Sequence, residues 1–141
     1  MRTTKINDQL MNMVINLLKN VNGLTIENEI LNNCHILLND KEEIEGTISY
    51  EKYDKIAIIR YFVFKRNVSF DDLLLLYQSL ENELLDINID NSLAIINSNE
   101  VKDVFEYLGF KKIDKNKVFF DETQFIKTNY KDNDVYLKKL S

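Results

Sequence analysis

The stretch Ser98-Asn99-Glu100-Val101-Lys102-Asp103-Val104-Phe105-Glu106-Tyr107-Leu108-Gly109-Phe110 opens with a polar cap and runs for two to three helical turns. It then stops on a glycine and turns at once into strand. It follows a short apolar strand, Leu93-Ala94-Ile95-Ile96. A helix that reverses directly into a strand needs φ > 0 at its C′ position, and Gly109 meets that need without a Cβ penalty.

Upstream, the same alternation continues. Ser69 to Asp86 reads as the longest helix. Leu73, Leu76, Tyr77, Leu80 and Leu84 form its apolar stripe, widened by Leu74 and Leu85. Ile56 to Phe64 is apolar or aromatic except for Arg60, the pattern of a central strand buried on both faces. Ile44, Gly46, Ile48 and Tyr50 alternate with Glu45, Thr47, Ser49 and Glu51, which predicts a strand with one wet face. Cys34 to Leu38 is an apolar run of strand length. Ile6, Leu10, Met13, Val14, Leu17 and Leu18 share a face of a first helix that Asn22-Gly23 ends. Thr25 is the expected N-cap of a short second helix reaching Leu31.

Downstream, a strand from Phe110 to Ile113 is followed by a turn, Asp114 to Lys117, then by Val118-Phe119-Phe120 and a last strand within Asp134 to Leu140. The order predicts an α/β (α+β) fold: a mixed central sheet of about six or seven strands flanked by about four helices. The 141 residues are enough for one domain, expected to span 1–141 without a linker.

Composition excludes several classes. The net charge is −5, and no basic stripe appears, so neither nucleic acid nor an anionic membrane is an expected partner. No apolar run approaches the roughly 20 residues a membrane span needs. Met1 to Leu10 is polar and lacks a signal-peptide core. Cys34 is the single cysteine, so no intrachain disulfide can form, and a cytoplasmic location is expected.

The closing strand–helix–strand resembles that of the GNAT N-acetyltransferase superfamily, in which an Asn, a short helix and a Tyr precede Leu-Gly-Phe. The layout over roughly 34–140 matches, Gly46 falls where the family often has a glycine, and Val135-Tyr136-Leu137-Lys138-Lys139-Leu140 is similar to its final strand. The resemblance implies a single GNAT-like domain that transfers an acyl group from acetyl-CoA to a small-molecule or peptide amine. It also implies a loop of the form Arg/Gln-x-x-Gly-x-Gly/Ala after the central strand. There, backbone N–H groups and a helix N-terminus receive the pyrophosphate.

Lys65-Arg66-Asn67-Val68-Ser69-Phe70 occupies that loop. Lys65 takes the Arg/Gln position, but Val68 and Phe70 replace both glycines. Ser69-Phe70-Asp71-Asp72 reads as a capping-box variant, putting two carboxylates where a pyrophosphate would lie. The resemblance therefore implies cofactor contacts from Phe62, Val63, Phe64, Lys65, Arg66, Asn67, Ser69 and Phe70, and acetyl-CoA binding that is weak or absent. The family's thiolate-protonating tyrosine corresponds to Phe105, which has no proton to give. Tyr107 lies about 200° further round the helix and does not replace it.

No catalytic residue is assigned. Glu43, Glu45 and Glu51 are candidates for a base, against the simpler reading of a solvated strand face. Cys34 and His35 are adjacent in a strand and point to opposite faces, so they form neither a nucleophile pair nor a chelate. No metal-ligand spacing appears. The alternative reading is a catalytically inactive binding module. Tyr61, Phe62 and Phe64 would then serve a peptide strand or a homodimer contact.

Overall fold

The computed structural model describes residues 1–114, 119–120, 123–124 and 133–140. The expected turn at 114–117 and residue Val118 lie largely outside them. The strands are β1 (Arg2–Lys5), β2 (His35–Leu38), β3 (Ile44–Tyr53), β4 (Ile56–Phe64), β5 (Asn91–Ile96), β6 (Lys111–Ile113), β7 (Phe119–Phe120), β8 (Thr123–Gln124) and β9 (Asp134–Lys139). The helices are α1 (Asp8–Lys19), α2 (Asn28–Leu31), α3 (Phe70–Asp86) and α4 (Asn99–Tyr107).

Seven strands form one mixed sheet in the order β1-β2-β3-β4-β5-β9-β6, and β7 pairs with β8 separately. As expected, β4 is the central strand. Its pairing with β5 is parallel, Ile56↔Asn91 to Ile58↔Leu93. A parallel pair cannot be closed by a hairpin, and the long amphipathic helix α3 provides the crossover. Its stripe Leu73, Leu76, Tyr77, Leu80 and Leu84 is buried, whereas Leu85, expected to widen it, is exposed.

By packing, the chain divides into two compact units: Met1–Glu51 with Arg60–Asn82, and Lys52–Ile59 with Glu83–Ser141. In the first, Val14 and Leu18 of α1 and Ile30 and Leu31 of α2 pack with Cys34, Ile36, Leu38, Ile44 and Tyr61. Met11 joins this core and Met13 does not; Met13 is exposed. In the second, Ile58, Leu93 and Val135 form the core, edged by Tyr53, Ile56, Ile95, Ile113 and Leu137.

Helix α4 ends as its local sequence dictates. Ser98 accepts from the amide of Val101, and Gly109 ends α4 at φ +98°. The Phe105 and Phe110 rings then meet edge-to-face at 5.0 Å across that reversal. At the start of α2 the cap differs from expectation. Glu27, not Thr25, is the N-cap and makes no side-chain cap bond. The Thr25 carbonyl instead accepts from the Tyr61 hydroxyl.

Strand β1 was not expected, because Arg2-Thr3-Thr4-Lys5 has no apolar residue. It forms by antiparallel pairing with β2, from Arg2↔Leu38 to Lys5↔His35. Backbone pairing, with the Arg2–Glu42 ion pair at its start, holds it, and neither leaves a trace in a hydropathy pattern.

Candidate functional site

The geometry of the central strand is set by one residue. Tyr61 has φ +52°, in the left-handed region, in the middle of β4. A non-glycine residue there costs about 1–2 kcal/mol, and such a conformation interrupts the pleat as a bulge does. The surroundings hold it. The Thr47 hydroxyl donates to the Tyr61 carbonyl at 2.8 Å. The Tyr61 hydroxyl accepts from the Glu27 amide at 2.7 Å and donates to the Thr25 carbonyl at 2.8 Å. The Arg60 guanidinium lies 5.7 Å from the Tyr61 ring centroid. It also pairs with Glu51 at 2.8 Å and Glu27 at 3.6 Å.

The polar face of β3 is therefore not wet. Glu45, Thr47 and Ser49 are all buried, correcting the expectation of a solvated face. Each has a structural job. Thr47 supports the left-handed Tyr61, Ser49 donates to the Ile30 carbonyl of α2, and Glu45 accepts from the Asn39 side chain at 2.7 Å. Buried polar groups are tolerated when bonded in this way. Among the described residues the second Glu45 oxygen has no hydrogen-bond partner, and the Lys65 ammonium at 3.4 Å supplies charge without an aligned bond. Gly46 sits in this row by steric need. A Cβ there would lie 3.2 Å from Phe64 Cβ and 3.3 Å from the Val63 carbonyl oxygen.

The loop leaving β4 is short and tightly bonded. The Lys65 amide donates to the Glu45 carbonyl at 3.0 Å, and the Val68 amide donates to the Lys65 carbonyl at 3.2 Å. Val68 is buried, while Lys65, Arg66, Asn67 and Ser69 are exposed. Phe70 is also exposed, at 44%. The Asp72 amide donates to Ser69 Oγ at 3.1 Å, so Ser69 is the N-cap of α3 as expected. The amides of Val68 and Asp72 are thus committed within the protein. Phe62, Val63 and Phe64 are half-buried beyond the last β4–β5 pair, with the Phe62 and Phe64 ring centroids 5.0 Å apart.

Chains of known structure share this layout. One is an N-acetylglutamate synthase from Neisseria gonorrhoeae, complexed with coenzyme A and N-acetyl-glutamate (TM-score 0.78, 11% identity, 99% of this chain, 35% of that one). Another is a GNAT-family acetyltransferase from Staphylococcus aureus (TM-score 0.69, 15% identity, 99% of both chains). A third is a Mycobacterium tuberculosis protein in complex with CoA (TM-score 0.77, 12% identity, 99% of both chains). The fold is that of the GNAT N-acetyltransferases. This chain spans about a third of the Neisseria synthase and nearly all of the other two. No protein-family model matches the sequence, and no curated protein matches it.

Against the GNAT loop pattern, the residues fit coenzyme A in part. Lys65 and Arg66 are exposed cations at the end of β4, Lys65 being paired with Glu45. The buried Val68 side chain and the committed amides remove the close approach that glycines allow. Phe105 is buried and has no proton to give. Among the described residues no group of three His, Cys, Asp or Glu side chains could hold a metal, and no helix is long and apolar enough to cross a membrane.

Cys34 lies beside Ser49 in the buried row. Burial pushes its thiol up to about 11, opposed by the Ser49 hydrogen bond and by Lys5. The native protein therefore holds this proton above the pH at which the unfolded chain releases it. Stability should fall as pH rises from about 9 to about 11, because the unfolded state then binds fewer protons. Denaturant unfolding of the wild type and of Cys34→Ala across that interval checks the sign. The alanine variant should show a shallower decline. At neutral pH the native thiol should resist a disulfide reagent and react on unfolding.

Proposed function

We propose that this chain is a divergent GNAT-type N-acyltransferase domain, spanning 1–141, that uses acyl-CoA weakly and acts on a small-molecule or peptide amine. The carrying observation is the left-handed Tyr61 in the central strand, braced from β3 and α2, immediately before a short loop into the capped N-terminus of α3. Strain of this kind is retained where the surroundings over-determine it, and it concentrates at functional sites. Several neighbours in fold are acetyltransferases, two of the three described above being complexed with CoA.

In this reading the cofactor supplies an acyl thioester. Lys65, Arg66 and Asn67 lie on the phosphate side, with Ser69 and Phe70 at the helix start. Phe62, Val63 and Phe64 present strand backbone. No side chain is assigned to proton transfer. The neutral amine attacks the thioester carbonyl directly, the C–N bond forms as the C–S bond breaks, and the ammonium proton passes to water or to the departing thiolate. Phe105 contributes no acid, so turnover should be slow.

A second reading, an inactive binding module, is favoured by the committed Val68 amide and by Asp71 and Asp72 in the first turn of α3. Titration calorimetry with acetyl-CoA, followed by a thiol-release assay over a panel of amines, separates the two. The proposal expects a Kd weaker than about 10 μM, corresponding to less than about 7 kcal/mol of binding, and slow, amine-dependent thiol release. Thiol release that no amine accelerates would overturn it.

A further inference from the structure

We propose that Glu45 is a specificity-determining residue of the loop leaving β4. Its buried carboxylate holds the Lys65 ammonium and withholds that cation from a phosphate, so that Arg66 is the loop's anion contact. The cofactor part of this rests on the transferase reading; the withheld cation does not.

The carboxylate is anchored independently of Lys65. In the turn between β2 and β3, Asn39 Oδ1 accepts from the amides of Lys41 at 2.9 Å and Glu43 at 3.0 Å. Those two bonds fix which way the Asn39 amide points, and its Nδ2 donates to Glu45 Oε1 at 2.7 Å. One Glu45 oxygen is thus tied to the turn, so the carboxylate does not follow a departing lysine into water. The other, Oε2, is buried and has no hydrogen-bond partner among the described residues. The Lys65 ammonium, 3.4 Å away, is the charge set against it. Backbone pairing keeps the two residues together, since the Lys65 amide donates to the Glu45 carbonyl at 3.0 Å.

The pair is unequal. The Glu45 side chain is 11% exposed and that of Lys65 52%. Lys65 can turn to water at small cost to itself, but it leaves behind a buried, half-satisfied carboxylate, and an unpaired buried charge is strongly disfavoured. An anion that recruits Lys65 must overcome that penalty. Formal charge points the same way. Lys65 and Arg66 are set against Glu45, Asp71 and Asp72, two cations against three carboxylates. With Lys65 and Glu45 cancelling, Arg66 is the remaining cation of the loop. It is exposed, and among the described residues it is in no ion pair.

Titration calorimetry on the full chain tests this, with inorganic pyrophosphate and then acetyl-CoA, at about 0.15 M salt, where distant charges are screened. Glu45→Gln keeps an acceptor for Asn39 and removes the charge. It should tighten pyrophosphate binding about tenfold. Lys65→Ala alone should change that affinity less than about twofold, and in the Glu45→Gln background should weaken it at least about fivefold, a coupling that a double-mutant cycle resolves. Arg66→Ala should weaken it about fivefold in both backgrounds. A purely structural Glu45 gives the opposite sign, because disturbing the loop lowers affinity. Urea unfolding reads the pair itself. Lys65→Ala should raise the unfolding constant at least about fivefold alone and less than about twofold beside Glu45→Gln. If Glu45→Gln does not fold, Lys65→Ala against Arg66→Ala decides alone, and equal losses of pyrophosphate affinity from the two would overturn the proposal. So would a Glu45→Gln protein that binds pyrophosphate no more tightly than wild type, or a Lys65→Ala effect on stability that is the same in both backgrounds. A gain for pyrophosphate without one for acetyl-CoA would keep the withheld cation and remove the cofactor reading.

Discussion

Leu76→Ala is expected to lower unfolding stability by about 2–5 kcal/mol, the range for a leucine deleted from a packed core. Leu76 is fully buried on α3, and its Cδ2 reaches to 3.6 Å from the position a Cβ on Gly46 would take. The glycine and the leucine are thus fitted to one another across α3 and β3. Neither the strand nor the helix backbone can close the void without breaking its own hydrogen-bond ladder. The control is next to it in sequence. Leu75 is 39% exposed, so Leu75→Ala should change stability by less than about 0.5 kcal/mol. Urea unfolding of both variants checks the pair. An equal loss in the two would mean that α3 does not pack through the Leu73, Leu76, Tyr77, Leu80, Leu84 stripe.

That stripe shows what a sequence discloses. Periodicity 3.6 with five apolar residues has one solution, and α3 adopts it. The Ser98 cap and Gly109 stop are equally local and are equally readable. The polar face of β3 is different. Alternation of Glu45, Thr47, Ser49 and Glu51 with apolar residues is the pattern of a half-wet strand, but these side chains bond inward to Asn39, Tyr61, Ile30 and Arg60. The Thr47 and Ser49 partners lie 14 and 19 residues away in other elements, beyond the reach of a local pattern, and the nearer Asn39 and Arg60 carry no periodic signal that marks them as partners. Tyr61 is harder still. A left-handed residue in a strand is usually signalled by glycine, and here tertiary contacts outweigh the local preference. The loop Lys65 to Phe70 is legible by its place between β4 and α3, whereas the left-handed Tyr61 before it is not. Lys65, which takes the Arg/Gln position of the loop pattern, is paired with Glu45.

Restoring both loop glycines, by Val68→Gly with Phe70→Gly, should destabilise the protein by about 2–4 kcal/mol and improve acetyl-CoA affinity less than threefold. The cost is assigned to Val68. It is 8% exposed, and a buried valine contributes about 1.5–3 kcal/mol, to which the backbone entropy of glycine adds about 0.5–1 kcal/mol. Phe70 is 44% exposed and adds little. The affinity gain stays small because glycine changes neither the Val68 amide bond to the Lys65 carbonyl nor the charge of Asp71 and Asp72. Each carboxylate near a pyrophosphate costs on the order of 1 kcal/mol in a half-wet site. Asp71→Asn with Asp72→Asn should therefore raise affinity about thirtyfold, with a stability loss below about 1 kcal/mol per site from the helix dipole. Calorimetry on the two double variants ranks the obstacles. If the glycine pair gains more affinity than the asparagine pair, steric approach at Val68 is the dominant barrier and the charge argument is wrong. If the asparagine pair gains more, the first turn of α3 is tuned against anions by its own carboxylates, whatever the loop backbone allows.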